Sequence, residues 1–352
     1  MPGDLHAPHS GSLPFRKPHR AARFEDMIHG FRERWVRRRG HVPTVVPYTG
    51  YGSSEWVRIF CRVLLSRPPG TLKSERRRRR REQGIRGWRS FTSVPVGDVS
   101  VTIEVGGQRT TVVADRGGVV DTRIPAQLEP GWHTATLSVA GSKPVEAPIR
   151  IVPPETRFGI ISDIDDTVMV TALPRPFVAA WNTFVLDEHA RTPTPGMAVL
   201  LERLSAKYEG ALVVYLSTGA WNTAPTLTRF LSRNLYPAGP MLLTDWGPTH
   251  DRLFRSGKEH KQKNLRRLAE EFPDIRWLLI GDDGQHDPDL YAEFAAENPD
   301  KVSAIAIREL SAGEAVLAGG RTKQESSANA VPVVSGADGS QIADRLGEIG
   351  LL

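Results

Sequence analysis

The chain has 352 residues, a formal net charge of +6 and one cysteine, Cys61. That length suits about two domains with ample material for a core, and one cysteine excludes an internal disulfide and suits a reducing compartment. No run approaches the ~20 apolar residues that cross a bilayer. The Pro-, His- and Arg-rich start lacks the apolar stretch of a signal peptide. The expected location is therefore cytoplasmic, with peripheral attachment at the inner face of the membrane as an option.

Residues 1–41 read as a basic segment, partly disordered or amphipathic. Phe24, Met27, Ile28, Phe31 and Trp35 recur at helical spacing among Arg23, Arg32, Arg34, Arg37, Arg38 and Arg39. Such a helix either lies on an anionic membrane surface or docks on its own domain with a solvated arginine face. Residues 42–152 read as a mainly β domain. Val42 to Val46 and Val57 to Leu65 are strand-like and flank a turn-rich stretch from Tyr48 to Ser54. An arginine-rich loop, 73–89, contains the run Arg76 to Arg81. It is either a solvated loop or a foothold on the phosphates of lipid headgroups or nucleic acid. No aromatic residue interleaves the run, so nucleic acid is the weaker partner. Val99 to Val105 alternates strictly, and short strands follow near 110–113, 119–124, 133–139 and 145–151, separated by Gly and Pro turns. That pattern predicts an antiparallel β-sandwich.

Residues 153–310 change period to strand, helix, strand, helix, the pattern of an α/β doubly wound parallel sheet. Phe158 to Ile161 is an apolar run that ends in Asp163, Asp165 and Asp166, followed by Thr167. The carboxyl edge of a parallel sheet is where ligands bind, and like charges that close need a cation or a proton among them. An EF-hand reading fails, because Val168 stands where that loop needs Gly and Pro174 where it needs Glu. Further helices are expected from a Thr194 cap through Lys207, from an Asn222 cap through Leu235, from Lys258 to Glu271 and from Asp287 or Pro288 to Glu297. Strands are expected at Ala211 to Leu216, Pro240 to Leu243, Ile275 to Ile280 and Val302 to Ile307. Residues 311–352 read as a loop and then a last strand and helix.

Asp-x-Asp-x-Thr after a buried strand resembles the nucleophile motif of the haloacid-dehalogenase phosphatase superfamily. The resemblance implies that Asp163 attacks phosphorus to form an aspartyl-phosphate. It implies that Asp165 protonates the leaving oxygen and then deprotonates water, and that Mg²⁺ neutralises the acids. Thr167 would help hold the substrate. Three more parts are needed, and each is present in order. Ser217, with Thr218 and Gly219 beside it, would hold phosphoryl oxygens. A lysine among Lys258, Lys261 and Lys263 would neutralise the nucleophile, and the His260-Lys261 pair favours Lys261. Gly257-Lys258 is not a P-loop, since the earlier Gly and the following Ser or Thr are absent. Asp282 would complete the metal set with Asp163 and Asp165, assisted by Asp287 or Asp283.

The motifs Asp163–Val168, Leu216–Asn222, His260-Lys261 and Gly281–Tyr291 resemble the yeast actin-patch family of Mg²⁺-dependent phosphatidate phosphatases, with lipins as more distant cousins. The departure is Thr218-Gly219-Ala220, where eukaryotic members carry serines and proline. The resemblance implies hydrolysis of phosphatidate to diacylglycerol at an anionic membrane surface. The stretch from Thr171 to Pro193, with Leu173, Phe177, Val178, Trp181 and Phe184, is too short for a large closing cap. The alternatives are the same chemistry on a soluble phosphomonoester, a phosphoprotein or a nucleic-acid end, and a non-catalytic membrane- or nucleic-acid-binding scaffold.

Overall fold

The computed structural model describes Arg38 and residues 40–66, 94–170, 191–244, 250–284, 286–317 and 331–352. The basic helix expected near Phe24, the run Arg76 to Arg81 and the stretch from Leu173 to Phe184 lie outside these residues.

The upstream region is built from β1 (Val42–Ser53), β2 (Trp56–Ser66), β3 (Ser100–Val105), β4 (Gln108–Val113), β5 (Val119–Pro125), β6 (Gly131–Val139) and β7 (Val145–Ile151). The sequence predicts two packed sheets. Here all seven strands hydrogen-bond into one sheet, ordered β4-β3-β6-β7-β1-β2-β5, and its end strands β4 and β5 approach each other. The join is a pairing that local pattern does not announce. β1 runs parallel to β7 over Gly50–Gly52, against antiparallel neighbours elsewhere. Side chains alternate between faces along a strand, and β2 is buried on both. Val57, Ile59, Cys61, Val63 and Leu65 enter the core of the curled sheet. Trp56 and Phe60 enter a second core shared with the rest of the chain.

The second region is a six-stranded sheet. Its strands are β8 (Phe158–Ser162), β11 (Leu212–Ala220), β12 (Met241–Thr244), β13 (Arg276–Asp282), β14 (Val302–Arg308) and β15 (Val333–Gly336), in the order β12-β11-β8-β13-β14-β15. All five pairings are parallel. The order reverses between β8 and β13, which leaves a crevice at their carboxyl ends. A short antiparallel pair, β9 (Met169–Val170) with β10 (Thr192–Pro193), follows the first strand.

The helices are α1 (Met197–Lys207), α2 (Ala224–Arg233), α3 (His250–Glu271), α4 (Asp287–Glu297), α5 (Ala312–Leu317) and α6 (Gly339–Glu348). α1 packs on α6 and α3 on α4. α1 begins two residues later than a Thr194 cap would place it. Its cap is Gly196, at φ 71°, because the start of α1 meets Gly339 of α6 backbone to backbone. A Cβ on Gly339 would lie 2.3 Å from the Gly196 carbonyl carbon. Asn222 caps no helix. It sits in a 3₁₀ turn, Trp221–Thr223, and α2 ends before Leu235, whose φ of 59° is left-handed. The stretch after Ser311 opens with α5, and β15 and α6 join the parallel unit.

The two regions meet along an aromatic seam. Tyr48 stacks on Trp221 at 4.7 Å, and Tyr51 and Trp56 pack on Phe272 at 5.8 and 5.4 Å. Tyr51 Oη donates to Glu271 Oε2 at 2.6 Å, and Arg58 pairs with the other oxygen of that carboxylate. Helix α3, which carries Lys261, is thereby anchored at its far end to the upstream sheet.

Candidate active site

β8 delivers Asp163 to the crevice. Its backbone N–H donates to the Ile280 carbonyl of β13 at 2.8 Å, so the chain leaves the strand still tied to the neighbouring one. The next residues turn sharply. Asp166 takes φ 57°, a region that aspartate tolerates better than most residues. This brings Asp165 and Thr167 to the same edge, and both are buried.

Lys261 is the lysine at the centre. Its Nζ lies 2.7 Å from Asp163 Oδ1 and 2.6 Å from Asp287 Oδ1. Lys258 instead pairs with Glu293, half exposed, and Lys263 lines an outer surface groove. Asp287 occupies the first turn of α4, where the helix dipole favours a carboxylate. It faces Lys261 and not its own helix end. Room for it comes from Gly281, where a Cβ would lie 2.6 Å from Asp287 Oδ2.

Asp163, Asp282 and Asp287 each offer an oxygen within 4.8 Å of the others. Asp163 Oδ2, Asp282 Oδ2 and Asp287 Oδ2 are buried and accept no hydrogen bond from the described residues. Buried oxygens without donors are costly, and a hard divalent cation with oxygen ligands would satisfy them. The residues therefore fit Mg²⁺. Asp165 lies outside this group of three; its Oδ2 accepts from Ser217 Oγ at 2.9 Å. Asp283 turns away and accepts from the Leu310 N–H at 2.9 Å. Asp282 is fixed by the Gly284 N–H at 2.8 Å.

Ser217 is fully engaged, donating to Asp165 and accepting from the Gly219 N–H at 2.9 Å. Its hydroxyl thus orients the second acid of the motif. Thr218 is half-buried, and its carbonyl accepts from Thr244. Thr167 Oγ1 and Asp165 Oδ1 are buried with no hydrogen bond among the described residues.

Electrostatics follow from burial. Burial holds Asp163 well above the usual carboxylate range, and Asp287, Asp165 and Asp282 add to this while Lys261 opposes it. Burial and then Asp287 do the same to Asp282. Burial pushes the Asp165 carboxyl up to about 6 against the hydrogen bond from Ser217; Asp166 adds to the rise, while Lys261 and Arg191 lower it. Burial alone would lower Lys261, but Asp163 and Asp287 outweigh it and keep the ammonium charged.

Two buried arginines at this edge escape the motif reading. Arg191 precedes β10, and no pattern in the sequence marks it. Arg308 ends β14 and has a detectable signal, a charge closing an apolar strand at the same edge as the acids.

Residues 158–309 match the family model described as phosphatidate phosphatase APP1, catalytic domain. That match covers less than half of the chain. The matched segment spans β8 through β14 and holds Asp163, Asp165, Ser217, Lys261, Asp282 and Asp287. The chain is 27% identical over 206 residues to "Uncharacterized protein C29B5.04c" of Schizosaccharomyces pombe, covering 56% of this chain and 32% of that protein. It is 25% identical over 151 residues to "Phosphatidate phosphatase APP1" of Saccharomyces cerevisiae, covering 43% of this chain and 25% of that protein. The chain therefore spans a third or less of both relatives. A crystal structure of a Listeria monocytogenes protein covers 55% of this chain and 99% of its own at a TM-score of 0.33 and 10% identity, a likeness too low to carry an argument.

Proposed function

We propose that the chain is a Mg²⁺-dependent phosphatase of haloacid-dehalogenase type that hydrolyses phosphatidate through an aspartyl-phosphate on Asp163. The observation that carries this reading is Lys261 bridging Asp163 and Asp287 beside buried carboxylate oxygens that no donor among the described residues satisfies. The parallel strand order, reversed beside β8, supports the doubly wound assignment. The substrate comes from the family of residues 158–309 and from the relative named a phosphatidate phosphatase.

When bound, Mg²⁺ supplies positive charge that offsets the acids and the phosphoryl group together; Asp163, Asp282 and Asp287 would hold it. Lys261 opposes the effect of burial on Asp163 and holds the carboxylate in place for attack. The Asp163 oxygen forms a bond to phosphorus as the bond to the diacylglycerol oxygen breaks. Asp165, whose carboxyl titrates near 6, gives its proton to that leaving oxygen. It then takes a proton from water, which attacks phosphorus and releases phosphate and free Asp163. Ser217 holds Asp165 in line for both transfers.

No helix among the described residues is long and apolar enough to cross a membrane. A lipid headgroup would be reached from the membrane surface, with the basic segments near Arg37 and Arg76 as the attachment. The test is phosphate release from phosphatidate micelles and from a panel of soluble phosphomonoesters, with Mg²⁺ and with chelator. Mg²⁺-dependent release from phosphatidate is expected. Release from soluble esters alone would replace the substrate, and release unaffected by chelator would overturn the metal.

A further inference from the structure

Arg308 is the last residue of β14 and pairs in register with Asp282 of β13. It is only 5% exposed, and burying a guanidinium demands partners. Those partners lie on three separate elements. Nη1 donates to the Asp166 carbonyl at 2.7 Å, Nη2 to Glu314 Oε1 of α5 at 2.7 Å and Nε to the Ala337 carbonyl before α6 at 3.3 Å.

Asp166 is the left-handed residue of the motif turn, between Asp165 and Thr167. A charged donor on its carbonyl makes a bond roughly twice as strong as a neutral one, and its fork fixes the direction of the peptide plane. The Tyr236 hydroxyl holds the other shoulder of the turn, donating to the Val168 carbonyl at 2.6 Å. Each guanidinium nitrogen of Arg308 makes a hydrogen bond inside the protein, and together these hold its plane against the turn.

We infer that Arg308 is a positioning residue, which fixes the Asp166 turn and thereby the placement of Asp165 against Asp163. It also gives the elements after β14 a role, since α5 and the β15–α6 connection hold Arg308 from behind. The kinetic half of the inference rests on the phosphatase reading; the conformational half does not.

The test compares the parent full-length protein with Arg308→Gln and Arg308→Lys, in steady-state kinetics on phosphatidate micelles and in amide hydrogen exchange. A misplaced reacting group costs on the order of 10²-fold, so Arg308→Gln is expected to lower kcat by that order with KM unchanged. Amides from Ile164 to Met169 should exchange faster while those of β11 and α4 do not. Arg308→Lys should recover part of both effects, and it decides the matter by the same readouts should Arg308→Gln fail to fold. A raised KM with normal kcat would make Arg308 a substrate ligand and overturn the inference. Unchanged exchange across the turn would overturn it equally. Absence of turnover by the parent protein on every phosphoester would sink the phosphatase reading instead, and the exchange comparison would still decide this one.

Discussion

The two regions of the chain both bury apolar side chains but treat polar groups in opposite ways. In the curled upstream sheet, residues 42–152, no Asp, Glu, Lys, Arg, Ser, Thr or Asn is fully buried among the described residues. Every such buried residue lies between Thr156 and Arg308, and Asp163, Asp165, Lys261, Asp282 and Asp287 crowd one crevice. Burying charge costs several kcal/mol per ion unless it is compensated. The parallel unit accepts that cost at the strand edges where chemistry is done. The upstream sheet accepts none and serves as a support against which α3 and the Trp221 turn are braced.

The comparison can be broken in order of effect. Asp163→Asn should lower turnover by about 10⁴-fold or more, the scale of losing a nucleophile. It should leave the metal-free protein as stable as before or more so, because a carboxylate held above its usual range by burial is replaced by an amide. Paired activity and thermal-melting measurements check this; loss of fold would show that the acid is structural. In the upstream sheet the opposite is expected. Ile149→Ala deletes a fully buried side chain and should cost about 2–5 kcal/mol, read by urea unfolding, with turnover per folded molecule preserved.

A third prediction uses pH. Burial pushes the His260 imidazole down to about 4 from an ordinary 6.5. The unfolded chain takes up the proton first, so the His260 contribution is complete above about pH 6.5. It is lost as pH falls through about 4, by roughly 3 kcal/mol in all. The stability difference between parent and His260→Gln, measured by urea unfolding at pH 7 and pH 5, isolates this from the raised carboxylates, which slope the other way. An equal difference at both values would contradict it. The smallest effect is at the seam. Tyr51→Phe removes the hydroxyl bond to Glu271 while Arg58 still pairs with that carboxylate, so it should cost about 1 kcal/mol without changing turnover.

Much of the parallel unit was legible in the sequence. Apolar runs ending in Asp163, Ser217 and Asp282 signal buried strands with polar ends, and the structure brings all three to one edge. The motif favours Lys261 among three lysines, and the geometry of its Nζ between two carboxylates gives the physical reason. Legibility failed where long-range contact decides. The Gly50–Gly52 pairing with β7 joins strands that local alternation would distribute over two sheets. The start of α1 is set by Gly339 from the far end of the chain, not by the local Thr194-Pro195 signal. Arg308 and Asp166 are 142 residues apart, so no local pattern links them.

Everything proposed for the crevice turns on a covalent bond from Asp163 to phosphorus. The direct measurement is acid quenching during turnover of phosphatidate, followed by mass spectrometry of the peptide that contains Asp163, in the parent protein and in Asp165→Asn. A phosphate adduct on Asp163 is expected in the parent protein and is absent from Asp163→Asn; Asp165→Asn, which lacks both the acid for the leaving oxygen and the base for water, forms it slowly and keeps what it forms. Continued phosphate release with no adduct in either the parent or Asp165→Asn would contradict the covalent bond.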